Sequence, residues 1–250
     1  MPEYYFGEQI AERYDESLAD IFDPAVVDPA VDLLAELAGH GAALELGIGT
    51  GRIALPLAQR GIRVHGIELS SAMVARLRAK VGAEQIDVTI GDFATTRVDG
   101  TFSLAYLVFN TINNLTTQDE QVACFQNAAA HLEPGGTFLI EVGVPALQWL
   151  PPGERFHPFH VSAIHLGIDE YDVANQGLVS HHFRAVGEAF EKRSIPFRYV
   201  WASELDLMAR LAGMNLRGRW SGWKREPFTS DSTKHVSVWE KERARNHGQA

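Results

Sequence analysis

Three observations predict an α/β fold, in which a doubly wound, mainly parallel sheet carries a small antiparallel insertion. In the first half of the 250-residue chain, short apolar runs alternate with longer helical patterns, as in parallel sheets with crossover helices. A glycine-rich loop separates the first apolar run from the helical pattern that follows it. Between about residues 157 and 201, alternating polar and apolar runs favour antiparallel strands.

Five strands are predicted in the first half, at residues 42–46, 62–67, 86–90, 102–109 and 137–142. A helix over residues 52–60 ends at Gly61, and a second helix begins after Ser70, whose side chain can cap it. A long helix begins after Thr117, with two acidic residues in its first turn that complement the helix dipole. Because ligands of such sheets bind at the carboxyl ends of the strands, we expect the chemistry in the loops that follow them.

The second half of the chain is predicted to interrupt this sheet and then to complete it. The predicted insertion strands and the elements after them are strands at 160–166, 177–186 and 193–201, a helix at 203–211, and strands at 215–220 and 234–239. We therefore predict one domain formed by residues 1–145 and 202–242, an inserted β lid at 146–201, and a flexible tail at 243–250.

The composition excludes several classes of protein. Hydrophobic residues make up 46% of the chain and charged residues 22%, which is typical of a folded globular protein. A membrane span is excluded because no window approaches 18 uncharged apolar residues, and the first residues lack the pattern of a secretory signal. The single cysteine, Cys124, excludes a disulfide framework and fits a cytoplasmic location. A net charge of -10 disfavours binding to nucleic acids and anionic membranes, both of which attract positively charged proteins. A small molecule is therefore the expected partner.

The glycine-rich loop is the strongest motif. Glycines at 47, 49 and 51 allow a sharp turn and a close approach to a ligand, and the following helix directs its free N–H groups at the loop. A dinucleotide-binding loop would place its third glycine at position 52, where Arg52 stands. The spacing therefore favours a nucleoside ligand without a pyrophosphate.

Acidic residues follow the next two strands. Glu68 ends the second strand, at the place where doubly wound nucleotide sites bind ribose hydroxyls. Asp92 and Phe93 follow the third strand, where a carboxylate can accept a hydrogen bond from an adenine amino group and an aromatic ring can form an apolar wall. Together with the loop, these residues predict a site for an adenine nucleoside.

These motifs resemble those of the class I S-adenosylmethionine-dependent methyltransferases. The matching segments are residues 45–51, Glu68, residues 91–93 and residues 132–136, and the resemblance covers about residues 10–145 and 195–240. It implies a seven-stranded sheet in the order 3-2-1-4-5-7-6 with strand 7 antiparallel. It also implies S-adenosyl-L-methionine as cofactor and S-adenosyl-L-homocysteine as product.

The resemblance further implies which residues contact the cofactor. Gly47 and Gly49 face the methionine part, Glu68 the ribose, and Asp92 the adenine amino group, while Leu69 and Phe93 cover the adenine faces. The full set of expected cofactor contacts is Tyr14, Glu45, Gly47, Gly49, Gly51, Arg52, Glu68, Leu69, Met73, Asp92, Phe93 and Phe109.

The residues that bind the methyl acceptor are harder to infer. Because the cofactor's methyl group is already activated, the protein needs mainly to hold a nucleophile in line with it and to exclude water. We expect Asn110 and Tyr14 to orient the acceptor and His165 or His182 to serve as an optional base. The expected acceptor contacts are Tyr5, Asn110, Trp149, Tyr171, Tyr199 and Trp201. No metal site is expected, since the spacing of His157, His160 and His165 suits neither a helix nor a strand face.

The sequence therefore predicts a methyltransferase that acts by in-line displacement on a nitrogen, oxygen or carbon atom of a natural product or sugar-like small molecule. The insertion resembles, in position and length, the acceptor lids of N-methyltransferases that act on nucleotide-linked amino sugars. Two alternatives stay open: a non-catalytic protein that binds S-adenosylmethionine, and a nicotinamide-dependent oxidoreductase. The second is disfavoured because Arg52 stands where a dinucleotide-binding loop has its third glycine. The lid histidines and aromatic residues also have a plain interpretation as packing or surface residues, and a homodimer is left open.

Overall fold

The main sheet has seven strands, in the spatial order β10-β11-β5-β4-β1-β2-β3. The computed structural model describes residues 6–187 and 189–243, so Tyr5 and residues 244–250 of the predicted tail lie outside the described residues. The strands of this sheet are β1 Ala43–Leu46, β2 Val64–Glu68, β3 Asp87–Ile90, β4 Phe102–Leu107, β5 Leu132–Gly143, β10 Met214–Trp220 and β11 Lys234–Lys241. Strands β1 to β5 are parallel to one another, whereas β11 is antiparallel to both β5 and β10. The predicted order, 3-2-1-4-5-7-6 with an antiparallel last strand, is confirmed.

Helices cover both faces of this sheet. The helices are α1 Glu8–Ala11, α2 Tyr14–Ser17, α3 Pro24–Ala38, α4 Ala54–Gln59, α5 Ser71–Arg78, α6 Gln118–His131 and α7 Ala202–Leu211. Helices α3, α4 and α5 pack on one face, and α6 and α7 pack on the other, so successive side chains of the central strands enter two separate cores. None of the helices in the described ranges is long and apolar enough to cross a membrane.

The predicted helix starts follow from side-chain caps. The hydroxyl of Ser70 accepts a hydrogen bond from Met73 N, which caps α5. The hydroxyl of Thr117 accepts from Glu120 N while the Glu120 carboxylate accepts from Thr117 N, a reciprocal capping box at the start of α6. Both starts agree with the sequence prediction. The first predicted helix is shorter than expected: α4 begins at Ala54, because the glycine loop still determines the backbone at residues 51–53.

A second sheet of four antiparallel strands follows β5. Its strands are β6 Phe156–Val161, β7 His165–Asp172, β8 Gly177–Val186 and β9 Ala189–Arg198. The predicted single strand at 160–166 is wrong, because Ser162 turns the chain there: its hydroxyl accepts from His165 N and donates to His165 O. The sheet lies within the predicted insertion at 146–201, whose outer bounds stay a prediction.

A buried arginine joins the second sheet to the main domain. Arg198, at the end of β9, donates to Glu204 of α7 at 2.7 Å, to the Gln176 side chain at 3.1 Å, and to the Gln121 side chain of α6. Gln121 in turn donates to the backbone oxygens of Ile112, Leu115 and Arg198. Because residues 111–114 directly follow the end of β4, this hub fixes the second sheet next to the carboxyl edge of the main sheet.

Candidate active site

The glycine loop lies at the carboxyl edge of the main sheet, between β1 and α4. Gly47, Gly49 and Gly51 all have positive φ angles, of 76°, 57° and 81°. A Cβ atom at Gly47 would lie 2.8 Å from Cγ2 of Thr111, in the turn after β4. No side chain fits at Gly47 without moving that turn, so the loop packs its bare backbone against the turn after β4.

Glu68 joins the end of β2 to this loop. Its carboxylate accepts from Gly49 N at 2.8 Å and from Ser70 N at 2.9 Å, and the residue is only 8% exposed. Burial raises the pKa of Glu68, while the hydrogen bonds from Ser70 and Gly49 oppose the shift. Since a carboxylate has about four lone-pair positions, these bonds leave part of the group for the hydroxyls of a bound ribose.

The N-terminal helix α2 is tied to the same loop. Asp15 accepts from the Thr50 hydroxyl at 2.6 Å and pairs with Lys80 at 2.5 Å, and Lys80 donates to Thr50 O. Burial raises the pKa of Tyr14, and the charges of Arg52 and Glu68 also act on its hydroxyl. Tyr14 therefore lies near Arg52 and Glu68, two of the other predicted cofactor contacts. Its own contact with the cofactor stays a prediction.

The predicted adenine side lies around Asp92 and Phe93. Asp92 accepts from Ala94 N at 2.8 Å, which holds the turn after β3, and Phe93 is buried behind Gly47. Met73 is buried near Gly49, and Leu69 is partly exposed at the end of β2.

Glu45 differs from these residues. It is buried, accepts from the Tyr106 hydroxyl at 3.0 Å, and has a pKa that burial raises to about 8. Its contact with a cofactor stays a prediction.

A cavity of about 690 Å³ adjoins the loop, within the size range of small-molecule sites. It is lined by α3, by Arg52, Phe109 and Asn110, by the end of β5, and by the segment between β10 and β11. The guanidinium of Arg52 lies 5.3 Å from the centre of the Phe109 ring. The cavity thus brings together three predicted site residues with a wall from the C-terminal hairpin that the sequence did not predict.

The turn after β4 is strained and is held by β5. Phe109 and Asn110 have φ angles of 58° and 60°, which few residues other than glycine adopt, and β4 therefore ends at Leu107 rather than at the predicted Phe109. Phe109 N donates to the Glu141 carboxylate at 3.1 Å, and Asn110 N donates to Glu141 O at 3.2 Å. Gly143 N donates to the Asn110 side-chain oxygen at 2.6 Å. No described residue, from 6–187 or 189–243, accepts a hydrogen bond from the Asn110 amide nitrogen, whose two donors are left for other partners.

Sequence reasoning missed Glu141. This acidic residue lies two residues before the end of the fifth strand, at the same edge of the sheet as Glu68 at the end of the second. An acidic residue near that edge was the signal that could have found it. Its carboxylate also accepts from the Lys234 ammonium at 3.3 Å. Glu141 therefore links the strained turn to the C-terminal hairpin at the cavity wall.

The lid residues lie apart from this cavity. Trp149 lines a second cavity of about 330 Å³ together with His157 and Thr233, and Thr233 also lines the first. Tyr171 and Tyr199 are buried with ring centres 5.7 Å apart, and Trp201 packs edge-on against Tyr199. None of these last three lines either cavity. Their predicted contact with the acceptor stays untested.

His165 and His182 form a stacked pair on the second sheet. Their rings are 5.3 Å apart, and a hydrogen bond of 3.1 Å joins Nε2 of His165 to Nδ1 of His182. Burial, with the neighbouring His165, lowers the pKa of His182 to about 4. Neither residue lines the two cavities, and their role as base stays a prediction. Among the described residues, no group of three or more His, Cys, Asp or Glu side chains could hold a metal ion.

Comparison with known proteins agrees with this geometry. A family model described as "Methyltransferase domain" matches residues 43–136. The solved structure of the CcbJ methyltransferase from Streptomyces caelestis is 36% identical, with a TM-score of 0.84, over 98% of this chain and 100% of that one. Cypemycin N-terminal methyltransferase from Streptomyces sp is 27% identical over 92% of this chain and 98% of its own length.

A sugar-modifying relative matches a smaller share. The dTDP-3-amino-3,6-dideoxy-alpha-D-glucopyranose N,N-dimethyltransferase of Streptomyces fradiae is 28% identical over 75% of this chain and 70% of its own length. Three findings point to the same family: the fold, the glycine loop with its hydrogen bond to Glu68, and a relative that is 36% identical over its full length. The chain therefore belongs to the class I S-adenosylmethionine-dependent methyltransferase family.

Proposed function

We propose that this protein binds S-adenosyl-L-methionine at the glycine loop and methylates an amine nitrogen of a small natural product or of a sugar attached to one. The observation that carries the proposal is the buried Glu68 carboxylate, which is bonded to Gly49 N and retains lone pairs for ribose hydroxyls. The choice of nitrogen is supported by the relatives, which are named as an N-terminal methyltransferase and an amino-sugar N,N-dimethyltransferase.

The residues present fit the cofactor. Gly47 and Gly49 offer bare backbone where the methionine part would bind, Glu68 would hold the ribose, and Asp92 with Phe93 would hold the adenine. When bound, S-adenosyl-L-methionine supplies a methyl group on a positively charged sulfur, which keeps the electron pair of the broken bond while the acceptor nitrogen takes over the positive charge.

The chain itself would orient the acceptor and exclude water. Asn110 and Phe109 stand where the cavity meets the carboxyl edge, and the strained turn fixes their positions. Arg52 stacked on Phe109 and Tyr14 above the loop would cover the reacting atoms. His182, with a pKa of about 4, would be neutral at pH 7 but a weak base, so we assign the orienting role to Asn110 and Tyr14 first.

The test is methyl transfer from methyl-labelled S-adenosyl-L-methionine to matched pairs of acceptors. Each pair would contain an amino sugar or an amino-acid amide and its hydroxyl analogue. We expect the label in the amines alone. Label in the hydroxyl analogues alone would contradict the proposed nitrogen specificity. Cofactor binding without transfer to any member would favour the non-catalytic alternative. A cytoplasmic location and a homodimer stay predictions.

A further inference from the structure

We propose that Glu141 is the residue that binds the acceptor amine, and that Lys234 is a resident cation which the amine displaces. This rests on the proposed function, since it names the residue that selects an amine within the same site. Glu141 lies near the end of β5, lines the cavity and has a side chain that is 14% exposed. It is thus a largely buried carboxylate that still reaches the cavity.

The carboxylate has room for a further partner. One oxygen accepts from Phe109 N at 3.1 Å and the other faces Lys234 Nζ at 3.3 Å. These bonds use two of about four lone-pair positions on the group. The hydrogen bond to Phe109 also places the carboxylate directly against the turn that carries Asn110. An amine held by Glu141 would therefore lie beside the residues expected to orient the acceptor.

The other charged groups of the cavity are less suited to hold a cation. Arg52 is itself positive, stacks on Phe109 and donates to Ile21 O. Glu226, the other carboxylate in the lining, is exposed on the segment between β10 and β11. Glu141 is the one partly buried anion among the lining residues, and charge-assisted hydrogen bonds are stronger where water is scarce.

Lys234 is bound weakly enough to be replaced. Its side chain is 50% exposed, and its contact with Glu141 is an ion pair at 3.3 Å, a kind of pair that contributes little at a surface. In the absence of acceptor it keeps a partly buried carboxylate paired. An entering ammonium can take over that pairing while the lysine moves into solvent.

Glu141 would also act during methyl transfer. The bound ammonium first gives up one proton to water in the open cavity, which frees its lone pair. The nitrogen regains a positive charge as that lone pair forms the new N–C bond and the methyl–sulfur bond breaks, with the sulfur keeping the electron pair. A fixed carboxylate that accepts a hydrogen bond from the remaining N–H stabilises this developing charge, and the proton of that N–H stays on the nitrogen until the methyl group has been transferred. The proton can then leave to water through the open cavity. A carbon nucleophile has no such N–H to donate, and a neutral hydroxyl lacks the positive charge that Glu141 would bind before the transfer.

The experiment uses two probes of equal shape, N-methylbenzylamine, which is charged at pH 7, and neutral benzyl methyl ether. Their binding to the full chain saturated with S-adenosyl-L-homocysteine is measured by ligand-observed NMR titration. We expect the wild type to prefer the amine by about tenfold, the size expected for a hydrogen bond to a charged group. Glu141→Gln keeps an oxygen for Phe109 N but removes the charge, so the preference should disappear.

The controls separate this proposal from the proposed function. Glu240→Gln removes a carboxylate at the far end of β11, paired with Arg217 at 3.9 Å, and should keep the preference. Lys234→Met should raise the amine affinity about twofold or more, because a competing cation is removed. Failure of S-adenosyl-L-homocysteine to bind would overturn the proposed function. Normal cofactor binding with no amine preference in the wild type, or with the preference kept in Glu141→Gln, would overturn the role of Glu141.

Discussion

The two halves of the carboxyl edge are built in different ways. On the cofactor side, Glu68 accepts from the backbone of Gly49 and Ser70, all within residues 47–70. On the side proposed for the acceptor, Glu141 joins the turn at Phe109 to Lys234 of the C-terminal hairpin, across more than ninety residues of chain. The first half is a local backbone cradle that suits an invariant ligand. The second half is assembled from distant segments of the chain. Substitutions in those segments can change the cavity wall without altering the backbone cradle around Glu68.

The largest effect should come from the hub that attaches the second sheet. Arg198→Met removes one partner of the buried pair with Glu204, and we expect a loss of about 3 kcal/mol in the free energy of unfolding. Urea unfolding at pH 7 measures it, with the exposed pair at Arg60 as control, where Arg60→Met should cost about 0.5 kcal/mol. Equal losses in the two variants would contradict the idea that the acceptor half depends on long-range polar contacts.

The backbone cradle formed by the glycine loop and Glu68 is tested by adding one methyl group at Gly47. Gly47→Ala combines a positive φ angle with a Cβ atom 2.8 Å from Thr111 Cγ2, and strain of about 2 kcal/mol should weaken cofactor binding about thirtyfold. Thr111→Ser removes that methyl group and keeps the hydroxyl bonded to Val108 O. The double variant should therefore recover part of the affinity. No recovery would show that the close approach of loop and turn is unimportant.

Asn110→Gly tests the turn on the acceptor side. Glycine accepts the φ angle of 60°, so the substitution removes the amide without adding backbone strain. We expect kcat to fall about tenfold, the loss of a hydrogen bond or two in the transition state, while the affinity for S-adenosyl-L-homocysteine stays within twofold. Unchanged turnover on a confirmed acceptor would remove Asn110 from the mechanism. A matched loss of cofactor affinity would erase the distinction between the two halves.

The smallest effect concerns pH. Burial, with Arg219 nearby, lowers the pKa of His235 to about 4. The unfolded chain binds a proton at this residue below about pH 6.5 and the folded protein does not. Stability should therefore fall as the pH falls from about 6.5 towards 4. His235→Gln should remove about 0.7 kcal/mol of the difference in unfolding free energy between pH 7 and pH 6. An unaltered pH dependence would contradict this assignment.

The same contrast explains what the sequence could predict. The cradle is encoded in one loop and two strand ends, so spacing alone indicated Gly47, Gly49 and Glu68, and the sheet order followed from the family that this spacing resembles. Glu141 and the wall near Lys234 come together only after β5 and β11 pair, and no local pattern records that pairing. The second sheet was predicted but one turn was misplaced, because a serine side chain makes the turn at residue 162 without glycine or proline.

The central claim is that residues 47–51 and Glu68 form a binding site for a sulfur-containing adenine nucleoside. Isothermal titration of the folded wild-type chain with S-adenosyl-L-homocysteine tests it most directly, with Glu68→Ala and the exposed carboxylate variant Glu84→Ala measured alongside. We predict binding by the wild type and by Glu84→Ala, and at least about tenfold weaker binding by Glu68→Ala, which loses its ribose hydrogen bonds. Absence of binding heat across several temperatures, or equal affinity in all three proteins, would contradict the account.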